Sequence, residues 1–336
     1  MVHTKINGFA LGMVILLAGC NQKKQDSPFE KLLSGPPYRA LSDSIRKEPR
    51  RDELYFRRAV LLNQNDHVEP ALADFRTAWY LNPRENYALG VATILLEKNA
   101  DSAIVFLRQA LTRLPRSFLL RLSLARACVM RNQSGEALRI AEELLLENPQ
   151  QVDVLKMKAD LLGKMGRPRE AISTLESAYA LAPQDLELNY LLALKYAEAA
   201  NPRVLQLADS MIRHGARQIR GEPHYYKGIY YANSNNPARA IAEFDEAIRK
   251  DYYLLEAYIE KGAIFYEQRR YREAQGVFQL ANTISPAFPD AYYWLARCQE
   301  ALGQKQEAIL NYRRAYGLDK TFTKAKEAAD RLAGAP

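Results

Sequence analysis

The chain has 336 residues and few of those that carry most enzyme chemistry. It holds three cysteines, Cys20, Cys128 and Cys298, and four histidines, His3, His67, His214 and His224. No histidine sits in a metal-ligand spacing such as HExxH, and none has a cysteine beside it, so the sequence carries no zinc-site signature. It also lacks the GxSxG turn, the P-loop and the GxGxxG loop, which leaves no hydrolase elbow and no phosphate cradle. No metal, cofactor or catalytic residue is expected. Carboxylates are plentiful, but they recur at salt-bridge spacing, as Glu243 and Glu246 do, and read as exposed helix faces. The net charge of +8 is modest and dispersed, and no nucleic-acid motif accompanies it. Such a charge suits an acidic partner or anionic headgroups better than DNA or RNA.

Long apolar runs are missing too. The run Gly8 to Gly19 is twelve residues, short of the ~20 that a membrane-crossing helix needs. Lys5 precedes it and small residues end it, the pattern of an export signal over 1–19. Its end, Leu17-Ala18-Gly19-Cys20, resembles the lipobox of bacterial lipoproteins. That resemblance implies cleavage before Cys20, lipidation of its sulfur and acylation of the new amine. Two or more acyl chains hold a protein firmly where one does not. Asn21, where an aspartate favours the inner membrane, points to the outer membrane of a bacterial envelope, facing the periplasm. Residues 20–29 read as a polar tether. Removing the signal takes Lys5 away and leaves +7.

The rest of the chain is periodic. Gly228, Gly262 and Ala296 are 34 apart, as are Ala240, Ala274 and Ala308. Phe244, Phe278 and Tyr312 keep the same spacing, and so do Ala247, Ala281 and Ala315. Upstream, Pro49 and Pro83, Pro115 and Pro149, and Pro149 and Pro183 are 34 apart, while Pro83 and Pro115 are 32 apart. Four columns in one phase mark a stacked repeat. The segment Glu256 to Pro286, with Tyr258, Gly262, Phe265, Tyr271, Ala274, Phe278, Ala281 and Pro286, resembles the tetratricopeptide repeat. The resemblance covers 52–322 and implies an all-α solenoid of about eight helix-turn-helix units in a right-handed superhelix. The units fall near 52–83, 84–117, 118–151, 152–185, 186–220, 221–254, 255–288 and 289–322. Residues 30–51 read as a capping half-repeat, with Leu41 and Ile45 facing inward, and 323–336 as a capping helix. The fifth unit departs: its second helix is short, and the stretch 212–223, with Gly215 and Gly221, reads as a longer loop or hinge. Its Arg213, His214, Arg217 and Arg220 read as a solvated basic cluster.

The repeat phase puts five units between Cys128 and Cys298. With helices about 8–10 Å apart, they are too distant for a disulfide, which needs Cα atoms within ~7 Å. Two buried thiols are expected.

In the repeat family the second, fifth, ninth, twelfth and thirteenth places of a unit face the inner groove. Units six to eight place there Tyr225, Ile229, Asn233, Ile259, Tyr266, Glu267, Tyr293 and Arg297, a candidate peptide-binding groove. Glu256, Asp290 and Glu300 accompany them. Phe56 and Val60 in unit one, and Ala88, Ala92, Leu95, Lys156 and Asp160 in units two to four, occupy the same places. Tyrosine offers apolar area and a hydrogen bond at low entropy cost; the competing reading is that these rings pack between repeats. The family's two-carboxylate clamp is absent, because its places hold Tyr225, Ile229, Ile259, Ala263, Tyr293 and Arg297. The resemblances together imply a membrane-anchored adaptor that binds partner proteins or peptides. A structural accessory subunit of an export, uptake or assembly complex is the alternative. An enzyme would need a deep polar pocket with perturbed carboxylates.

Overall fold

The computed structural model describes residues 28–214 and 221–334. The expected signal, Cys20 and the tether to residue 27 lie outside the described residues, as do Gly215, Arg217 and Arg220. The chain divides into two compact units, 1–120 and 121–336. Every regular element among the described residues is a helix.

In the first unit α1 (Glu30–Leu33) and α2 (Arg39–Lys47) precede two antiparallel pairs, α3 (Asp52–Gln64) with α4 (Val68–Leu81) and α5 (Glu85–Lys98) with α6 (Ala100–Arg113). Each of α2 to α5 packs on the next in order. At the front Ile45 and Ser42 are buried and Leu41 is half-buried, so the inward stripe of α2 runs through Ser42 rather than centring on Leu41. Ser42 is buried because it accepts from Arg58, which also holds Asp74.

Next come α7 (Phe118–Met130), α8 (Ser134–Glu147), α9 (Val152–Lys164), α10 (Pro168–Leu181), α11 (Leu186–Glu198) and α12 (Arg203–His214). They are followed by α13 (Glu222–Asn233), α14 (Pro237–Lys250), α15 (Leu255–Glu267), α16 (Tyr271–Ile284), α17 (Pro289–Ala301), α18 (Lys305–Leu318) and α19 (Thr323–Ala333). From α8 onward neighbours in this order pack together, and α13 also meets α11 and α15. No single pair can bury its own apolar stripe, so stacking makes the core.

The small-residue columns have a direct steric cause. Gly228 of α13 lies under the ring of Phe244 from α14, and Gly262 of α15 under Phe278 from α16; a methyl at either glycine would overlap the ring. Ala240, Ala274 and Ala308, and Ala247, Ala281 and Ala315, are fully buried and let the axes approach. At the end of the stack Ala325 and Ala329 of α19 cover Tyr292 and Tyr312. Cys128 and Cys298 are both buried thiols, neither in a disulfide.

Seven of the eight turns inside the units share one design that the columns do not reveal; the turn after α5, where Asn99 has φ −162°, departs from it. Asp66, Asn132, Gly166, Ala200, Asn235, Arg269 and Gly303 all take positive φ just after a first helix. The next amide donates back across the turn: Arg270 N–H to the Phe265 carbonyl at 2.9 Å and Gln304 N–H to Gln299 at 2.8 Å. This is the left-handed cap that satisfies orphan carbonyls at a helix end. The sequence-based loop at 212–223 is shorter than expected. Ile212, Arg213 and His214 form the last turn of α12, and Glu222 and Pro223 open α13.

Candidate functional site: the first-helix face of α13, α15 and α17

The eight candidate groove residues divide into two groups. Tyr225 and Ile229 are half-buried against Phe244, Ala240 and Ala247. The Tyr225 ring lies 5.9 Å from Phe244 and 5.8 Å from Tyr226. Burial pushes its phenol well above the usual range, with the charges of Glu260, Glu256 and Glu198 adding to the shift. Ile259 packs against Phe278 and Leu295 on one side and Tyr258 and Ala281 on the other. Asn233 donates from Nδ2 to the Ala197 carbonyl at 3.1 Å, which closes the C-terminal end of α11. Tyr225 and Ile229 therefore close the helix pair of their own unit, and Ile259 and Asn233 tie units together. Glu267 is exposed at the end of α15.

Tyr266, Tyr293 and Arg297 form the second group. They converge on a cavity of about 600 Å³, completed by Glu300, Ala301, Tyr312, Ala328 and Arg331. The Arg297 guanidinium lies 4.5 Å from the ring centroid of Tyr266, 4.5 Å from Trp294 and 5.9 Å from Tyr293. Trp294 is fixed in turn by stacking on Phe278, with centroids 5.8 Å apart and planes 17° apart. Glu300 accepts from Tyr312 Oη at 2.8 Å and from Arg331 Nη2 at 2.7 Å. Burial, with the hydrogen bond to Glu300, keeps the Tyr312 phenol protonated far above its usual range.

Tyr312 and Arg331 escaped the sequence reading, which took the first as a core column and the second as part of the cap. Both are reached because α19 folds over the last unit. Elsewhere on the face, burial raises the Glu260 carboxyl and Glu267 adds to it. Burial also raises Asp290, with Asp319 and Glu256 as like charges nearby.

Three expectations change. Glu243 is not on a solvated face: it sits between α13 and α14, 2.7 Å from His224 Nδ1 and 4.0 Å from Lys227 Nζ. Ala88, Ala92 and Leu95 are buried in the first unit and offer no binding surface. Lys156 bridges to Glu187 at 2.6 Å and Asp185 at 3.2 Å, so its charge is already spent between α9 and α11. Among the described residues no three His, Cys, Asp or Glu side chains group as metal ligands, and no helix is long and apolar enough to cross a membrane.

Profiles of the tetratricopeptide repeat match this chain at 95–161 and 265–310, and at 156–201 and 225–287. Together they cover more than half of it. Interferon-induced protein with tetratricopeptide repeats 2 of Cricetulus griseus is 25% identical over 309 residues, 88% of this chain and 61% of that protein. The chain thus spans about three-fifths of that relative's length. A tetratricopeptide repeat protein of Parabacteroides merdae ATCC 43184 has a similar fold, with a TM-score of 0.60 at 16% identity, over 73% of this chain and 97% of that one. Arrays of this kind mediate protein–protein interaction and are typically non-catalytic scaffolds. The helix pairs, their 34-residue phase and these matches place the chain in the tetratricopeptide repeat family.

Proposed function

We propose that this chain is an adaptor of the bacterial envelope. It is anchored through acyl groups on Cys20, at the periplasmic face of the outer membrane, and presents α13, α15 and α17 to a partner protein. The observation that carries the binding part is the cavity at Tyr266, Tyr293 and Arg297. It is the place on the face where aromatic rings and a cation converge around open space rather than around another helix. The anchoring part is supported by Leu17-Ala18-Gly19-Cys20 and the apolar run before it. The modest positive charge supports an acidic partner.

A second reading is a fixed subunit of an export, uptake or assembly complex. Exposed Leu280 on α16 and Leu310 on α18 favour it, since a permanent contact would cover them. Site-specific photo-crosslinking separates the two. A photoreactive amino acid replacing exposed Glu267 crosslinks the partner if the first-helix face binds; one replacing Leu310 does so if the second helices bind. Crosslinks from 310 and none from 267 would refute the adaptor reading. For the anchor, metabolic labelling with a palmitate analogue marks the wild type and not Cys20→Ala, and the variant leaves the membrane fraction. Equal labelling and fractionation of the two would refute lipidation at Cys20.

A further inference from the structure

Arg297 is held in an unusual state for a cation on a repeat surface. Three aromatic rings lie within 5.9 Å of its guanidinium, two of them at 4.5 Å. The rings neutralise no charge and offer no lone pair in the guanidinium plane, so its five N–H donors are left for another acceptor. No carboxylate or carbonyl among the described residues accepts from it. The nearby Glu300 is already taken, by Tyr312 at 2.8 Å and Arg331 at 2.7 Å. Glu300 therefore neutralises Arg331 and leaves the Arg297 charge uncompensated beside an open cavity of about 600 Å³.

Resting on the adaptor reading, we infer that this cavity takes the side-chain carboxylate of an acidic residue within an extended partner segment, bound edge-on by the Arg297 fork. The geometry selects this occupant in three ways. A planar guanidinium fork matches a carboxylate in two parallel N–H···O bonds. The residual charge of the lining, two arginines against one glutamate, is balanced by a monoanion and not by a phosphate dianion. The cavity is several side chains in volume, so a chain passes through it with neighbours against Tyr266 and Tyr293 instead of ending there. The aromatic cage removes water from the guanidinium faces, which strengthens its hydrogen bonds to an incoming anion. The site is distinct from a two-carboxylate clamp, whose lysine and asparagine places are filled otherwise here.

The test is selection from two random twelve-residue peptide libraries against the full chain. One library is displayed through a blocked C-terminus and the other with a free C-terminal carboxylate. From the blocked library the wild type is expected to enrich peptides with Asp or Glu fixed at one position. A synthetic, amidated version of the most enriched peptide should bind at least ten-fold more tightly than its Gln counterpart. Arg297→Lys keeps the charge and the stem but loses the fork, and should abolish that ten-fold preference; Arg297→Gln should do the same. Both variants are first checked for wild-type helicity and melting temperature.

Three outcomes overturn the inference. Enrichment of peptides without a fixed acid, bound equally by Arg297→Lys, leaves a peptide-binding face but no carboxylate site. Enrichment from the free-end library only makes the site a reader of chain ends. No enrichment from either library, from a folded protein, removes both the carboxylate site and the peptide-binding reading.

Discussion

Arg58 and Asp74 form a two-pronged ion pair sealed inside the first unit: Nε meets Oδ2 at 2.6 Å and Nη2 meets Oδ1 at 2.8 Å. The third arm of the guanidinium, Nη1, donates to Ser42 at 2.8 Å and so ties α2 to the pair α3 and α4. Removing one member strands the other charge away from water, at a cost of about 3–5 kcal/mol. Asp74→Ala should lose that much in urea denaturation. The double variant Arg58→Met, Asp74→Leu should stay close to the wild type, because nothing charged remains to desolvate.

Gly262 lies under the Phe278 ring. Gly262→Ala should destabilise by about 1–3 kcal/mol through overpacking, read as a lower midpoint in denaturant. Adding Phe278→Leu should recover part of the loss by making room for the new methyl. The same substitution at exposed Gly276, where a Cβ meets nothing within 4 Å, should be stabilising or neutral.

Five turns carry a side chain where the backbone favours glycine, and two of them lack the Asn or Asp that tolerates this shape. Ala200 has φ 50° and Arg269 φ 61°. A left-handed residue with a Cβ costs about 1–2 kcal/mol, offset in part by the extra freedom that glycine brings to the unfolded chain. Ala200→Gly and Arg269→Gly should each stabilise by about 0.5–1 kcal/mol, the net of those two effects. Being far apart in the stack, they should add in thermal melts.

Burial pushes the Cys298 thiol up to about 12, the Arg297 charge pulling weakly the other way. The unfolded thiol ionises near 9, so its burial contributes fully below that pH and the contribution is lost as pH rises from about 9 to 12. The stability gap between the wild type and Cys298→Ala should therefore be constant from pH 6 to 8 and narrow above 9. Native Cys298 should also resist iodoacetamide at pH 8 and react in denaturant.

The phase of the repeat was legible because burial imposes it. Gly262, Ala274 and Phe278 recur at fixed places since α15 and α16 must approach closely, and any residue of another size there would leave a gap or a clash. The all-helical architecture was implied by the family resemblance that those columns carry. The candidate site was legible only in part. Position in the repeat identifies the helix face of Tyr225 and Tyr266 alike. What separates them is whether the ring rests on the second helix of its own unit or meets the next unit. Phe244 lies beneath Tyr225, while Tyr266 meets the edge of Trp294 and the Arg297 guanidinium. That depends on contacts between units, which no single-unit pattern records. Arg331 was invisible for the same reason, since its partner Glu300 is 31 residues away on α17. The left-handed turns had a readable trace, because Asn132, Gly166, Asn235 and Gly303 recur near the repeat spacing. Arg269 and Ala200 hide it, being residues that seldom take that shape.

Helix hairpins that lean only on those made just before or after them also set a timetable. Each of the main packing partners in the second unit lies at most two helices along the chain. Among the described residues of this unit no main packing partner is synthesised a hundred residues later, and the search for contacts stays short. Every hairpin finds its support as soon as the next emerges from the ribosome, so assembly keeps pace with translation and little greasy surface is left uncovered on the way.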